Sequence, residues 1–537
     1  MTARTRFARV LLAIAMVVAV AVAVAAAAAY PTARHVVKHH SGSTLSWQDC
    51  GNGYQCANLV VPRDYEKPSG PTFTVAITRL PAKEARTGAL FVNFGGPGGT
   101  AVDAIQSFGG DLFSAVNDHF DIVGVDPRGV GETQPSVDCK VNQETDGIYS
   151  QPFVTPFNLD AKALVAKAKG YVNRCKQLNG SVLRYITTGN TARDMDRVRA
   201  AMGDKKLNYF GFSYGTFLGA TYASLFPHNY RALVLDGPVD VTTYIDNPSQ
   251  GLREQSQGFE RGLARFFQAC AADQTTCGFG GSDPSDAFQQ LVDQAYANPI
   301  PAPGADDSRP VGGDDLIGGS MLAMYAKQLW PLLVGALQGA QAGDGTLFRI
   351  LADAFYSRND DGTYDPISDR YFLITAADQH YKQGIKRYLR AGNQSWGLFD
   401  HAWWNTGYSE LSYGLYGPSS NGVFDGPFRA STSAPTALEV ATTYDPATPY
   451  KGALRTAATL GNVRLLTMRG DGHTAYGGNS ACIDDAVNHY IETLALPAVG
   501  TVCQQDVPFA AAAAATAQSL RKIMEYHVRA EPHSVPR

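Results

Sequence analysis

Short apolar runs alternate with helix-spaced patterns along the chain from residue 72 onward. Runs at 73–80, 89–93, 121–125, 207–212 and 232–235, and later at 438–443 and 463–468, have the length and residue types of buried strands. Between the early runs lie segments with charged and apolar residues at helical spacing, most plainly 191–202. Strands alternating with helices predict an α/β fold with a mostly parallel central sheet. The interval 241–431 breaks that rhythm. Its patterns at 255–270, 286–296 and 316–341 are helical, and a Pro/Gly-rich stretch occupies 298–313. An insertion of this size between two strands of one sheet predicts a mainly helical cap or lid. The core is then split into 42–240 and 432–507. Residues 508–537 are expected to form a C-terminal helix, over 510–515 and 520–524, and a tail.

The N-terminus bears on where the protein works. Arg4, Arg6 and Arg9 precede an apolar run, 10–29, that ends in Ala27-Ala28-Ala29. This order predicts a secretory signal peptide over 1–29, with cleavage favoured over retention as a membrane anchor, and no further membrane span. The 537 residues are 45% apolar and 18% charged, which suits a globular protein of enzyme size. Net charge moves from −4 to about −7 once the three arginines leave. Without a basic block, nucleic acid is not an expected partner. Eight cysteines behind an export signal favour disulfides. Short loops suggest pairing between sequence neighbours, Cys50/Cys56, Cys139/Cys175, Cys270/Cys277 and Cys482/Cys503. No Cys-x-x-Cys and no ligand-spaced His accompany them, so no metal site and no cofactor is expected. Nothing in the pattern specifies an oligomeric state.

Gly211-Phe212-Ser213-Tyr214-Gly215 follows a predicted strand and precedes an apolar helical run at 216–225. That context is the strand-turn-helix of a nucleophile elbow, with Ser213 on the turn. A serine hydroxyl needs a base and an orienting carboxylate, and in this fold they follow in the order acid, then histidine. Asp445, in Tyr444-Asp445-Pro446-Ala447-Thr448-Pro449, and His473, in Gly470-Asp471-Gly472-His473-Thr474, each follow a predicted strand, where open α/β sheets place their sites. Asp471 is the rival acid, although so close to the histidine it reads as a loop residue. Two backbone N–H donors for the oxyanion are expected from Tyr214 and from the turn Gly95-Gly96-Pro97-Gly98-Gly99, at Gly96. Arg128, in Asp126-Pro127-Arg128-Gly129, either ties loops by ion pairing or sits in a tight turn. Thr448 reads as a turn residue that could also reach the triad acid.

These segments, with Leu235-Asp236-Gly237-Pro238 and Gly500-Thr501-Val502-Cys503, resemble the α/β-hydrolase peptidases that include prolyl iminopeptidases. Within them, the chain is most similar to the secreted bacterial tripeptidyl aminopeptidases, over most of 45–507 and least over the predicted cap. The resemblance implies Ser213 as nucleophile, His473 as base and Asp445 as acid in a secreted serine exopeptidase releasing tripeptides from peptide substrates. A prolyl iminopeptidase-like enzyme or a carboxylesterase with the same triad are the alternatives, and a silent envelope-binding protein is a further one from another class. Recognising a free α-ammonium calls for a carboxylate on the cap. Glu254 and Glu260, then Asp246 and Glu410, are the candidates. Two departures concern geometry: Phe94 stands where the relatives have His or Pro, and Ala376 and Ala402 stand near positions where the family often has cysteines.

Overall fold

The computed structural model describes residues 45–305, 307–417 and 420–510. The predicted signal peptide and most of the predicted C-terminal helix lie outside the described residues. Ten strands form one sheet: β1 (Gln48–Gly51), β2 (Tyr54–Pro62), β3 (Thr72–Leu80), β4 (Gly88–Asn93), β5 (Phe120–Val125), β6 (Leu207–Phe212), β7 (Tyr230–Asp236), β8 (Ala437–Tyr444), β9 (Val463–Asp471) and β10 (Val502–Gln504). Their spatial order is β1-β2-β3-β5-β4-β6-β7-β8-β9-β10. The pairs from β1 to β5 run antiparallel, and every pair from β5 onward is parallel.

Every residue of β4, β5 and β6 is buried, because a parallel sheet is covered on both faces; this is why those strands read as continuous apolar runs. On one face Leu90, Val92, Ile122, Phe210, Val234 and Val440 pack against the helix Ala481–Thr493. On the other, Phe91, Val123, Tyr209 and Leu235 join a larger core that runs into the inserted helices.

Between β7 and β8 the named elements are all helical. The predicted helix over 316–341 is two helices, Gly313–Ala323 and Trp330–Gln341, with a 3₁₀ turn at Lys327–Leu329 between them. Pro331 explains the break: lacking an N–H, it is accommodated in the first turn of the second helix. The excursion between β5 and β6 also packs on the insertion. Asp369 accepts the Cys139 N–H at 2.9 Å, Gln143 Nε2 at 2.8 Å and the Tyr171 hydroxyl at 2.8 Å. All four neighbour cysteine pairs are disulfide-bonded.

Candidate active site

Ser213 sits between β6 and the helix Tyr214–Leu225, with φ 53° and ψ −125°. An L-residue avoids this region unless the surroundings enforce it, which is how a nucleophile elbow holds its hydroxyl out from a tight turn. The Ser213 N–H donates to the Asp236 carbonyl at 2.9 Å, and the Thr216 N–H donates back to the Ser213 carbonyl at 2.8 Å. The glycine-rich turn after β4 lies directly against the elbow. A Cβ on Gly95 would stand 2.7 Å from the Phe212 carbonyl oxygen and 3.0 Å from Ser213 Cβ, so only glycine fits there.

Asp445 follows β8, and its carboxylate is fixed from several directions. Oδ1 accepts the N–H groups of Ala447 (2.9 Å) and Thr448 (2.7 Å), and Oδ2 accepts the Thr448 hydroxyl at 3.0 Å. His473, after β9, places Nδ1 at 2.9 and 2.8 Å from the two carboxylate oxygens, with both side chains buried. A carboxylate accepts, so the geometry suits a proton on Nδ1, which leaves the Nε2 lone pair able to take a proton. The His473 N–H donates to the Tyr325 carbonyl at 2.6 Å. Gly237, next to the residue that holds Ser213, approaches the imidazole so closely that a Cβ there would lie 2.9 Å from Cε1.

Asp236 closes this ring of contacts. Its carboxylate accepts the N–H groups of Ala475 (3.0 Å) and Tyr476 (2.8 Å), which anchors the His473 loop to the strand end that also binds Ser213. Complete burial pushes its carboxyl up to about 7, against the opposing pull of those two donors. Sequence reasoning did not single out Asp236, because its partners lie more than two hundred residues downstream.

Ser213, Gly96, Tyr214 and Thr448 line one cleft of about 110 Å³, with walls from both the sheet and the inserted helices. The carboxylates expected to bind an ammonium group are otherwise engaged. Glu254 reaches the cleft but is bonded to Arg455 at 2.5 Å and to Lys451 at 3.2 Å. Glu260 is locked onto the N–H groups of His401 (2.6 Å) and Ala402 (2.7 Å) and does not line the cleft. Glu410 is buried against Ser249 and the Gly407 N–H, and Asp246 lies exposed beside His380.

Asp471 ends β9 rather than lying in a loop, and its carboxylate pairs with Arg265 and, at 3.8 Å, with Lys327. Thr448 is more than a turn residue, since its hydroxyl also lies 3.2 Å from His473 Nδ1. Of the two readings of Arg128, the structure selects loop tying. Its guanidinium grips Asp194 at 2.6 and 2.7 Å and the carbonyls of Pro62, Arg63 and Tyr185, away from the cleft. Phe94 stacks on Phe212 at 5.5 Å, an aromatic prop under the elbow. Ala376 and Ala402 are both buried.

Residues 88–344 match the family described as alpha/beta hydrolase fold, and residues 424–503 match the one described as TAP-like protein. Serine protease Hip1 of Mycobacterium tuberculosis is 32% identical over 487 residues, covering 86% of this chain and 91% of that protein. Carboxylesterase B of the same species is also 32% identical, over 468 residues, covering 84% and 86%. Tripeptidyl aminopeptidase of Streptomyces lividans is 29% identical over 471 residues, covering 84% of each chain. The chain belongs to the α/β-hydrolase peptidases, in the group of serine hydrolases that resemble tripeptidyl aminopeptidase.

Proposed function

We propose that the protein is a secreted serine exopeptidase that cleaves near free N-termini and releases tripeptides through an acyl-enzyme. Ser213 Oγ attacks the scissile carbonyl carbon while His473 Nε2 takes its proton, and Asp445 stabilises the imidazolium that results. The N–H groups of Gly96 and Tyr214 hold the developing oxyanion. Collapse of the intermediate expels the amine, which leaves with the proton from His473. Water activated by the same histidine then releases the peptide acid and restores Ser213. Each step uses only these residues and water.

The observation that carries this reading is the pairing of His473 Nδ1 with an Asp445 anchored by Ala447, Thr448 and Thr474, beside the strained Ser213 turn. Residues 241–431 act as the cap over that turn, between the core parts 42–240 and 432–507. Residues 1–29 act as a cleaved signal that delivers the chain to an extracytoplasmic space, where four disulfides persist.

The relative named Carboxylesterase B supports a second reading, an esterase with the same triad, because acyl-enzyme chemistry does not distinguish the two. Chromogenic amides of one, two and three residues, free and N-acetylated, assayed beside a p-nitrophenyl ester, separate these readings. Release from the free tripeptide amide, lost on acetylation, supports the tripeptidyl aminopeptidase. Cleavage of the one-residue amide points to an iminopeptidase-like site, and ester turnover alone overturns the peptidase reading. Ser213→Ala is expected to abolish turnover of every substrate.

A further inference from the structure

The helix Ile367–Asp378 ends against the cleft. Thr375 in its last turn and Gln379, the residue just past its end, both line it, as does Tyr244 from the short helix Val241–Asp246. Thr375 Oγ1, Gln379 Oε1 and Tyr244 Oη are buried; among the described residues Gln379 Oε1 has no hydrogen-bond partner, and the Tyr244 and Thr375 hydroxyls have only each other. The Tyr244 hydroxyl faces Thr375 and feels the charge of Asp378. Three oxygens so sparsely partnered on one buried wall are unfavourable unless a bound group completes them.

The electrostatics of the wall specify that group. Behind it lies Asp378, fully buried, whose oxygens accept the Thr188 N–H at 3.0 and 3.3 Å and the Thr188 hydroxyl; burial pushes its carboxyl up to about 7, so a cation brought onto the wall favours its ionised form. Among the described residues no Lys or Arg pairs with Asp378, whereas Asp240 and Glu254, which line the same cleft, are matched by Arg455 and Lys451. The carbonyl end of the helix adds partial negative charge, and the rings of Tyr371 and Tyr381 supply further faces that attract cations. The wall is also fixed relative to the nucleophile. The His380 N–H donates to the Ile245 carbonyl at 2.9 Å, the Tyr244 ring packs 6.3 Å from that of Tyr214, and the Thr188 hydroxyl bridges Tyr214 and Asp378.

We infer that Tyr244, Thr375 and Gln379, with the Asp378 carboxylate behind them, bind the free α-ammonium group of the substrate. An ammonium has three N–H donors and one positive charge, which three oxygens with lone pairs to spare and a buried carboxyl group without a cationic partner can receive. The reach from this wall to Ser213 then sets which peptide bond meets the nucleophile.

This inference rests on the aminopeptidase reading, and the test separates the two. The quantity measured is the ratio of kcat/KM for a free tripeptide amide to that for its N-acetylated form, which does not depend on the folded fraction. Thr375→Val and Gln379→Leu each remove one acceptor and are expected to lower the ratio about tenfold, mainly through KM of the free substrate. Gln379→Glu adds charge and is expected to raise it. A high wild-type ratio that all three variants retain overturns the subsite alone. A wild-type ratio near one overturns the aminopeptidase reading and the subsite with it.

Discussion

Asp236 and Ser213 are joined by a 2.9 Å hydrogen bond from the serine N–H to the aspartate carbonyl, while the Asp236 carboxylate holds the loop that carries His473. One residue thus sets the positions of both the proposed nucleophile and the proposed base, although it touches neither Ser213 Oγ nor the imidazole. Asp236→Asn retains one acceptor oxygen and turns an N–H donor toward the Ala475 and Tyr476 amides. Its kcat/KM on the best amide substrate is expected to fall about 10- to 100-fold, the cost of one to two hydrogen bonds to a charged acceptor. Unchanged kinetics would show that the His473 loop holds its place without this carboxylate.

Thr448 supplies the only hydroxyl bonded to Asp445, the proposed triad acid, among the described residues. Thr448→Val keeps the shape of the side chain and removes the donor, leaving Oδ2 less stabilised opposite the imidazolium. A loss of about tenfold in kcat is expected, with KM little changed, and Thr448→Ser is expected to recover most of it. A Ser variant as slow as the Val variant would assign the loss to packing of the missing methyl instead.

Much of the site is legible in the sequence because its rules are local. The elbow needs glycines at Gly211 and Gly215, and Asp445 and His473 follow their strands in the order that the fold dictates. The hairpin of β1 and β2 follows an equally local rule: Asn52 and Gly53 both have positive φ, the two-residue loop that Asn-Gly favours. Other features could not be read. The three residues of β10 are too few to show a period. Glu260 and Glu410 carry no local mark that they face backbone N–H groups rather than the cleft. Asp236, Thr375 and Gln379 acquire their surroundings only when distant segments fold back onto them.

The buried pair of Arg128 and Asp194 ties the loop after β5 to the helix Thr188–Ala201 and to the end of β2. Arg128→Met would leave Asp194 buried with Tyr65 as its remaining hydroxyl donor, at 2.7 Å. Removing one member of such a pair costs about 3–5 kcal/mol, so the urea midpoint is expected to drop sharply. The pair lies away from the cleft, so kcat per folded molecule is expected to hold. The double variant Arg128→Met with Asp194→Leu, which removes both charges, is expected to recover part of the stability, and no recovery would indicate that the carbonyl contacts matter more than the charge.

Glu439 lies mid-strand in β8, opposite Leu235 and Leu465, with both carboxylate oxygens buried and without partners among the described residues. Burial pushes its carboxyl well above the usual range, so the folded protein carries it as the neutral acid. The unfolded chain gives up that proton near pH 4.3 and the folded chain does not. Folding therefore takes up a proton above this pH, and stability falls as pH rises, by up to about 1.4 kcal/mol per unit, until the folded group itself ionises. Glu439→Met removes both the unpaired oxygens and the titration. The variant is expected to unfold at a higher temperature than the wild type, and the gap should widen between pH 5 and pH 8. A gap that stays flat across that range would mean that Glu439 titrates alike in both states, and its burial would then carry no proton-linked cost.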